Sequence, residues 1–125
     1  MTGVQTCALP ICGWLGRFRG LPWTFGSLDQ ELYGDFAELR RERANTDAEI
    51  EEYVAELSPD RLFEDFTYTT YAGKTFSHAL APALVHLFNH QTHHRGQLTT
   101  LLSQIGLDPG VTDVIAYYRD NVAVR

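Results

Sequence analysis

Dependable cysteine is the first thing this 125-residue chain lacks. Its two cysteines, Cys7 and Cys12, both fall in the opening twelve residues, a stretch with no charged side chain. Beyond them, disulfide frameworks and zinc–thiolate sites drop out, and cysteine usage says nothing firm about compartment. An excess of basic charge is also missing. Ten Lys and Arg against 16 Asp and Glu leave a net charge of −6, which argues against a nucleic-acid partner. No apolar run approaches the roughly 18 residues of a membrane span, so no membrane partner is expected. The opening residues lack the basic flank and continuous apolar run of a signal peptide, and a cytoplasmic location is the default. What remains, 44% hydrophobic, suits one globular domain.

Residues 1–12, from Met1 to Cys12, read as having neither a helical nor a strand period. From Thr2 to Ile11 they resemble the translated product of a common sequencing-library adapter, with Met1 read from an alternative start codon. The expectation is a non-native segment over 1–12, set aside from fold reasoning, followed by the domain proper over 13–125. The natural protein is then expected to begin upstream of Gly13, and a lost N-terminal element would leave an apolar face uncovered.

Gly13 to Gly26 places Trp14, Leu15, Phe18, Leu21, Trp23 and Phe25 among glycines and Pro22. This reads as the last turn of an interrupted helix and then a connector whose aromatics anchor it to the core, ahead of any ligand contact. Ser27 with Gln30 forms a capping-box pattern and predicts a helix start there. Leu32, Phe36, Leu39, Ile50, Tyr53 and Leu57 continue in steps of three and four, broken by Arg43 and Thr46 and ended by Ser58-Pro59. The charged stretch over 40–52 reads as a solvated helix face. Phe66–Tyr71 and Lys74–Phe76, split by Ala72-Gly73, suggest a short hairpin used as a crossover. A long helix is expected from about Ala81 to Ile105, with Pro82 in its first turn and Gly106 as its C′ residue. Val111 to Asn121 reads as a short terminal helix with Tyr117 and Tyr118.

The chemistry concentrates in His90-Gln91-Thr92-His93-His94-Arg95-Gly96-Gln97, which holds three of the five histidines. His90 and His94 are i and i+4, so they stack on one helix face within reach of a single ion. The core stripe is Leu84, Leu87, Gln91, His94, Leu98, Leu101 and Ile105. Gln91 and His94 thus stand where leucine would, and an unsatisfied polar group there costs roughly 1–3 kcal/mol. A metal would satisfy the imidazole and a hydrogen bond the amide. A core histidine bonded to a carbonyl or carboxylate would do so equally well, and both readings stay open. His78 reads as lying three turns up the same helix, and His86 could join a site only by bending its geometry. Arg95 could orient an anionic substrate, although a salt bridge with the acidic helix is the favoured reading.

Phe88 through Gln97, followed by Leu101, Leu102 and Gly106, resembles the last-helix signature of the DinB family, with His-x-x-x-His-Arg-Gly-Gln as its specific element. The resemblance extends over Trp14–Phe18, the acidic helix from Leu28, the Thr-Tyr-Thr region and Val114–Arg119. It implies an all-α, up-down-down-up four-helix bundle, here incomplete, with the first helix and most of the second missing and a hairpin-like crossover between the long helices. It implies a divalent metal ion (Zn, Ni, Fe or Mn) held by three histidines, and carries over His90 and His94 as metal ligands, with His93 a neighbour. The third histidine would fall near Thr6, inside the adapter-like segment. The resemblance further implies a homodimer, and a metal-dependent enzyme in the intact form acting on a small-molecule or thiol substrate. Thiol S-transfer to an electrophile is the sharpest reaction it suggests, with metal-dependent hydrolysis also open. No catalytic residue is identifiable from the chain. The alternatives are a non-catalytic, stress-related metal-binding or dimerising bundle, and an inert fragment without its third ligand.

Overall fold

The computed structural model describes residues 2–121, with side chains from Ala8 onward. Among these residues there are four helices and one hairpin. They are α1 (Thr2–Phe18), α2 (Phe36–Glu56), a 3₁₀ turn (Pro59–Phe63), β1 (Asp65–Thr69), β2 (Thr75–Ala79), α3 (Leu80–Gln104) and α4 (Val114–Asn121). No helix among the described residues is long and apolar enough to cross a membrane.

Helix α1 corrects the reading of residues 1–12 as having no helical period. The adapter-like residues do carry a helical period: Ala8, Ile11, Leu15 and Phe18 are spaced three, four and three apart, and all are buried. The helix therefore runs through residues 2–12 and on to Phe18. It ends in a glycine cap. Gly20 takes φ +69°, Gly20 N–H bonds the Arg17 carbonyl (3.0 Å) and Leu21 N–H bonds that of Gly16 (2.8 Å), closing the last turn as left-handed caps do.

Helix α2 begins eight residues later than the Ser27 signal suggests. Gln30 does reach back, its Oε1 accepting from Gly26 N–H at 2.6 Å, but no helix forms behind it. A second box wins: Asp35 Oδ1 accepts from Glu38 N–H at 2.9 Å, and Glu38 Oε2 accepts from Gly34 N–H at 3.3 Å. Both orphan donors are satisfied there. The helix stops where expected, with Leu57 as C-cap and Ser58 capping the 3₁₀ turn that Pro59 opens.

The hairpin forms with Phe66 opposite His78 and Tyr68 opposite Phe76. His78 thus lies on a strand, which corrects its placement on the last helix. Helix α3 follows directly and ends on Gly106 at φ +78°, with Leu107 N–H bonded to the Leu102 carbonyl at 3.0 Å.

Helix α1 packs against both α2 and α3. The core threads these elements through Ile11, Leu15 and Phe18 of α1, Ile50 of α2, Phe66 of β1, and Leu80, Ala83 and Leu87 of α3. The seven-residue stripe of α3 is buried only in its first half. Leu87 is buried, whereas Leu101 and Ile105 stand exposed, as do Tyr117 and Tyr118 of α4.

Candidate functional site

Helix α3 delivers the imidazole pair as its sequence spacing requires. The Nε2 atoms of His90 and His94 converge at 3.0 Å, and the two rings stand at 87° to each other. Both residues are half-buried. Behind His94, Nδ1 lies 2.9 Å from Gln97 Oε1. A carbonyl oxygen only accepts, so Nδ1 carries the ring proton and the neutral ring presents its Nε2 lone pair forward. Without an ion, His90 Nε2–H donates to that lone pair; to ligate through Nε2, His90 takes the tautomer with its proton on Nδ1. Burial is the main reason the His90 pKa is lowered, with His94, His86 and His93 adding to it.

A divalent ion is compatible with this pair. Metal–nitrogen bonds of 2.0–2.1 Å set adjacent ligand nitrogens about 2.9 Å apart at right angles and about 3.4 Å apart tetrahedrally. The observed separation falls in that interval, and Gln97 occupies the outer hydrogen-bonding role that metal-bound imidazoles commonly use. Among the described residues, however, no three His, Cys, Asp or Glu side chains group closely enough to hold a metal.

The other histidines are accounted for separately. His86 stacks parallel to His90, with centroids 5.3 Å apart, and also lies against Trp14 at 5.0 Å. His93 is exposed and stacks with His90 at a centroid distance of 6.0 Å. His78 Nδ1–H donates to the Ala79 carbonyl at 2.8 Å. The place near Thr6 where a third histidine is expected lies outside the residues whose side chains are described.

Gln91 finds a partner that the sequence pattern had hidden. Arg43 Nη2 reaches from α2 to Gln91 Oε1 at 3.1 Å while its Nε holds Asp47 at 2.8 Å. The residue that breaks the α2 stripe is therefore the one that satisfies the polar residue in the α3 stripe. Arg95 makes no ion pair with the acidic helix among the described residues: its Nη2 donates to Thr92 on its own helix at 3.4 Å.

The imidazole pair opens on a pocket of about 300 Å³ lined also by Pro10, Trp14, Arg17, Trp23 and Leu28. Trp14 and Arg17 come from α1, while Trp23 and Leu28 come from the connector before α2. Trp14 anchors the core side as expected, but Trp23 and Arg17 are site residues that the sequence reading did not single out. The available signal was position: Arg17 follows Trp14 by three, so the two share a helix face. Cys12 is half-buried near Thr46, and burial pushes its thiol pKa up.

Largely helical, with one small antiparallel hairpin and an imidazole pair at i, i+4 facing an aromatic pocket, the chain is of the helical-bundle class. A family model described as the DinB family matches residues 8–121, and the chain belongs to that family. No curated protein matches it, and neither does any solved structure.

Proposed function

We propose that the chain is a divalent-metal-binding bundle of the DinB type in which His90 and His94 supply two ligands. The observation that carries this reading is the convergence of the two Nε2 atoms at 3.0 Å while Gln97 holds the proton on the far side of His94. Zn, Ni, Fe and Mn all accept imidazole, and the two nitrogens do not choose among them. In this reading the third ligand position belongs to α1 at residue 6, one helical turn ahead of Pro10, which lines the pocket. Thr6 stands there, so the chain offers two imidazoles and binds ions at micromolar affinity or weaker. The bundle would run up-down-down-up. The exposed apolar side chains Leu101, Ile105, Tyr117 and Tyr118 support pairing with a second copy.

A bound ion would supply Lewis-acid polarisation to the intact enzyme. The chain's own side chains have simpler tasks. Trp14, Trp23 and Leu28 present an apolar wall to a substrate, His86 and His93 flank the ligand ring, and Gln97 fixes its tautomer. Thiol transfer to an electrophile is the reaction we favour for the intact form. Thr6 at the third position favours a second reading, in which this chain is an inert relative of an active parent.

Cobalt(II) tests the ligand assignment. Paramagnetically shifted ring N–H resonances are expected from His90 and His94 in the wild-type chain and should vanish in His94→Ala. The same shifted resonances persisting in a His90→Ala, His94→Ala double variant would overturn it.

A further inference from the structure

Among the described residues, no hydrogen bond or ion pair gives Arg17 an acceptor. Its guanidinium sits 4.7 Å from the Trp14 ring centroid, 5.2 Å from Trp23 and 5.7 Å from Tyr68. Its Nε is buried with no hydrogen-bond partner. The ion pairs among the described residues use Arg19, Arg41, Arg43 and Arg61, never Arg17. Aromatic faces attract the guanidinium plane but give its in-plane N–H groups no acceptor. Burial pulls the Arg17 pKa below its ordinary value, yet a guanidinium remains protonated. The residue as a whole is half-buried, so the cost falls on the sealed Nε–H, and an anion meeting the guanidinium from the pocket would offset it.

The surroundings say where that anion would sit. Arg17 lines the pocket of about 300 Å³ beside the imidazole pair and also a larger one of about 680 Å³. No Asp or Glu lines either pocket, in a chain with 16 of them. In the smaller pocket the apolar lining comes from Trp14, Trp23, Leu28 and Pro10.

From this geometry we infer that Arg17 is the anchor of a binding site for small organic monoanions with a planar apolar body, whose carboxylate or sulfonate pairs with the guanidinium while the body lies between Trp14 and Trp23. Planar carboxylates meet a guanidinium fork through two parallel hydrogen bonds, which gives orientation as well as affinity. An anion held this way is directed toward His90 and His94, so the site selects and aligns what reaches the pair. The inference goes beyond the metal reading and does not need it.

The chain contains two tryptophans, and both line this pocket; Trp14 does not line the larger one, so its indole N–H resonance is the specific reporter. Benzoate and its neutral analogue benzamide are titrated at pH 8 with a chelator present, which keeps the imidazoles neutral and the result independent of any metal. Benzoate should give saturable shifts of the indole signals, and benzamide should bind at least tenfold more weakly. Arg17→Met, which keeps the stem and removes the charge, should weaken benzoate at least tenfold, and Arg17→Lys should fall between. If Arg17→Met does not fold, the wild-type benzoate-to-benzamide ratio and Arg17→Lys still decide. Equal affinity for the two probes, no saturation with benzoate, or full binding by Arg17→Met would each overturn the site.

Discussion

The Trp23 ring lies directly over Gly13. A Cβ built on Gly13 would stand 2.7 Å from the ring, inside any real carbon–carbon contact. The ring is held there from its other side, since Trp23 Nε1–H donates to the Phe25 carbonyl at 2.7 Å. The absent side chain at residue 13 thus lets the connector close against α1, and Trp23 becomes a wall of the pocket that contains His90 and His94.

Gly13→Ala separates two opposed effects. Alanine in a helix interior gains about 0.5–1 kcal/mol over glycine, while forcing a methyl into a packed contact costs about 1–3 kcal/mol. The ring must move, so a net loss of about 1 kcal/mol is expected, with red-shifted tryptophan emission as Trp23 becomes wetter. Raised thermal stability with unchanged emission would show that the contact is not held in solution.

Gln97→Leu removes the acceptor that keeps the proton on His94 Nδ1. Nitrogen NMR of the ring should then show a mixture of tautomers, and zinc affinity should fall about tenfold, the low end for losing an outer-sphere partner. The fold should be unaffected, because Gln97 is exposed. Unchanged tautomer and affinity would remove Gln97 from the site.

Thr6→His places an imidazole where the third ligand is expected. Completing a three-histidine set should tighten zinc binding by about a hundredfold or more, and the gain should disappear when His90 is alanine. An affinity no better than that of the parent chain would place the third ligand elsewhere.

Cys12 gives a prediction in pH. Burial raises its pKa in the folded chain, so the folded state disfavours the thiolate. The unfolded chain loses that proton first, and the stability contribution present at neutral pH should decline as pH rises through the ordinary thiol range. In a Cys7→Ser background, iodoacetamide should label Cys12 slowly until the pH exceeds that range. Rapid labelling near neutrality would contradict the burial seen here.

How far sequence reached can be judged residue by residue. Helix α3, its glycine stop and the hairpin were legible because single local signals dominate them: the heptad stripe, Gly106 and the Thr-Tyr-Thr alternation. The start of α2 was misread because two capping boxes lie eight residues apart, at Ser27 and Asp35, and Gly34 weakens the first. The period in Ala8, Ile11, Leu15 and Phe18 is hard to read because only its first two members lie within residues 1–12. At the site, the spacing of His90 and His94 was sufficient to place them together. Arg17 was not, since its role depends on Trp23 and Tyr68, which reach it only through tertiary folding.

The claim that His90 and His94 act as a pair is tested most directly by calorimetric zinc titration of the wild-type chain beside His90→Ala. The account expects micromolar or weaker binding in the wild type and none measurable in the variant. Tight zinc binding that survives in His90→Ala would contradict it.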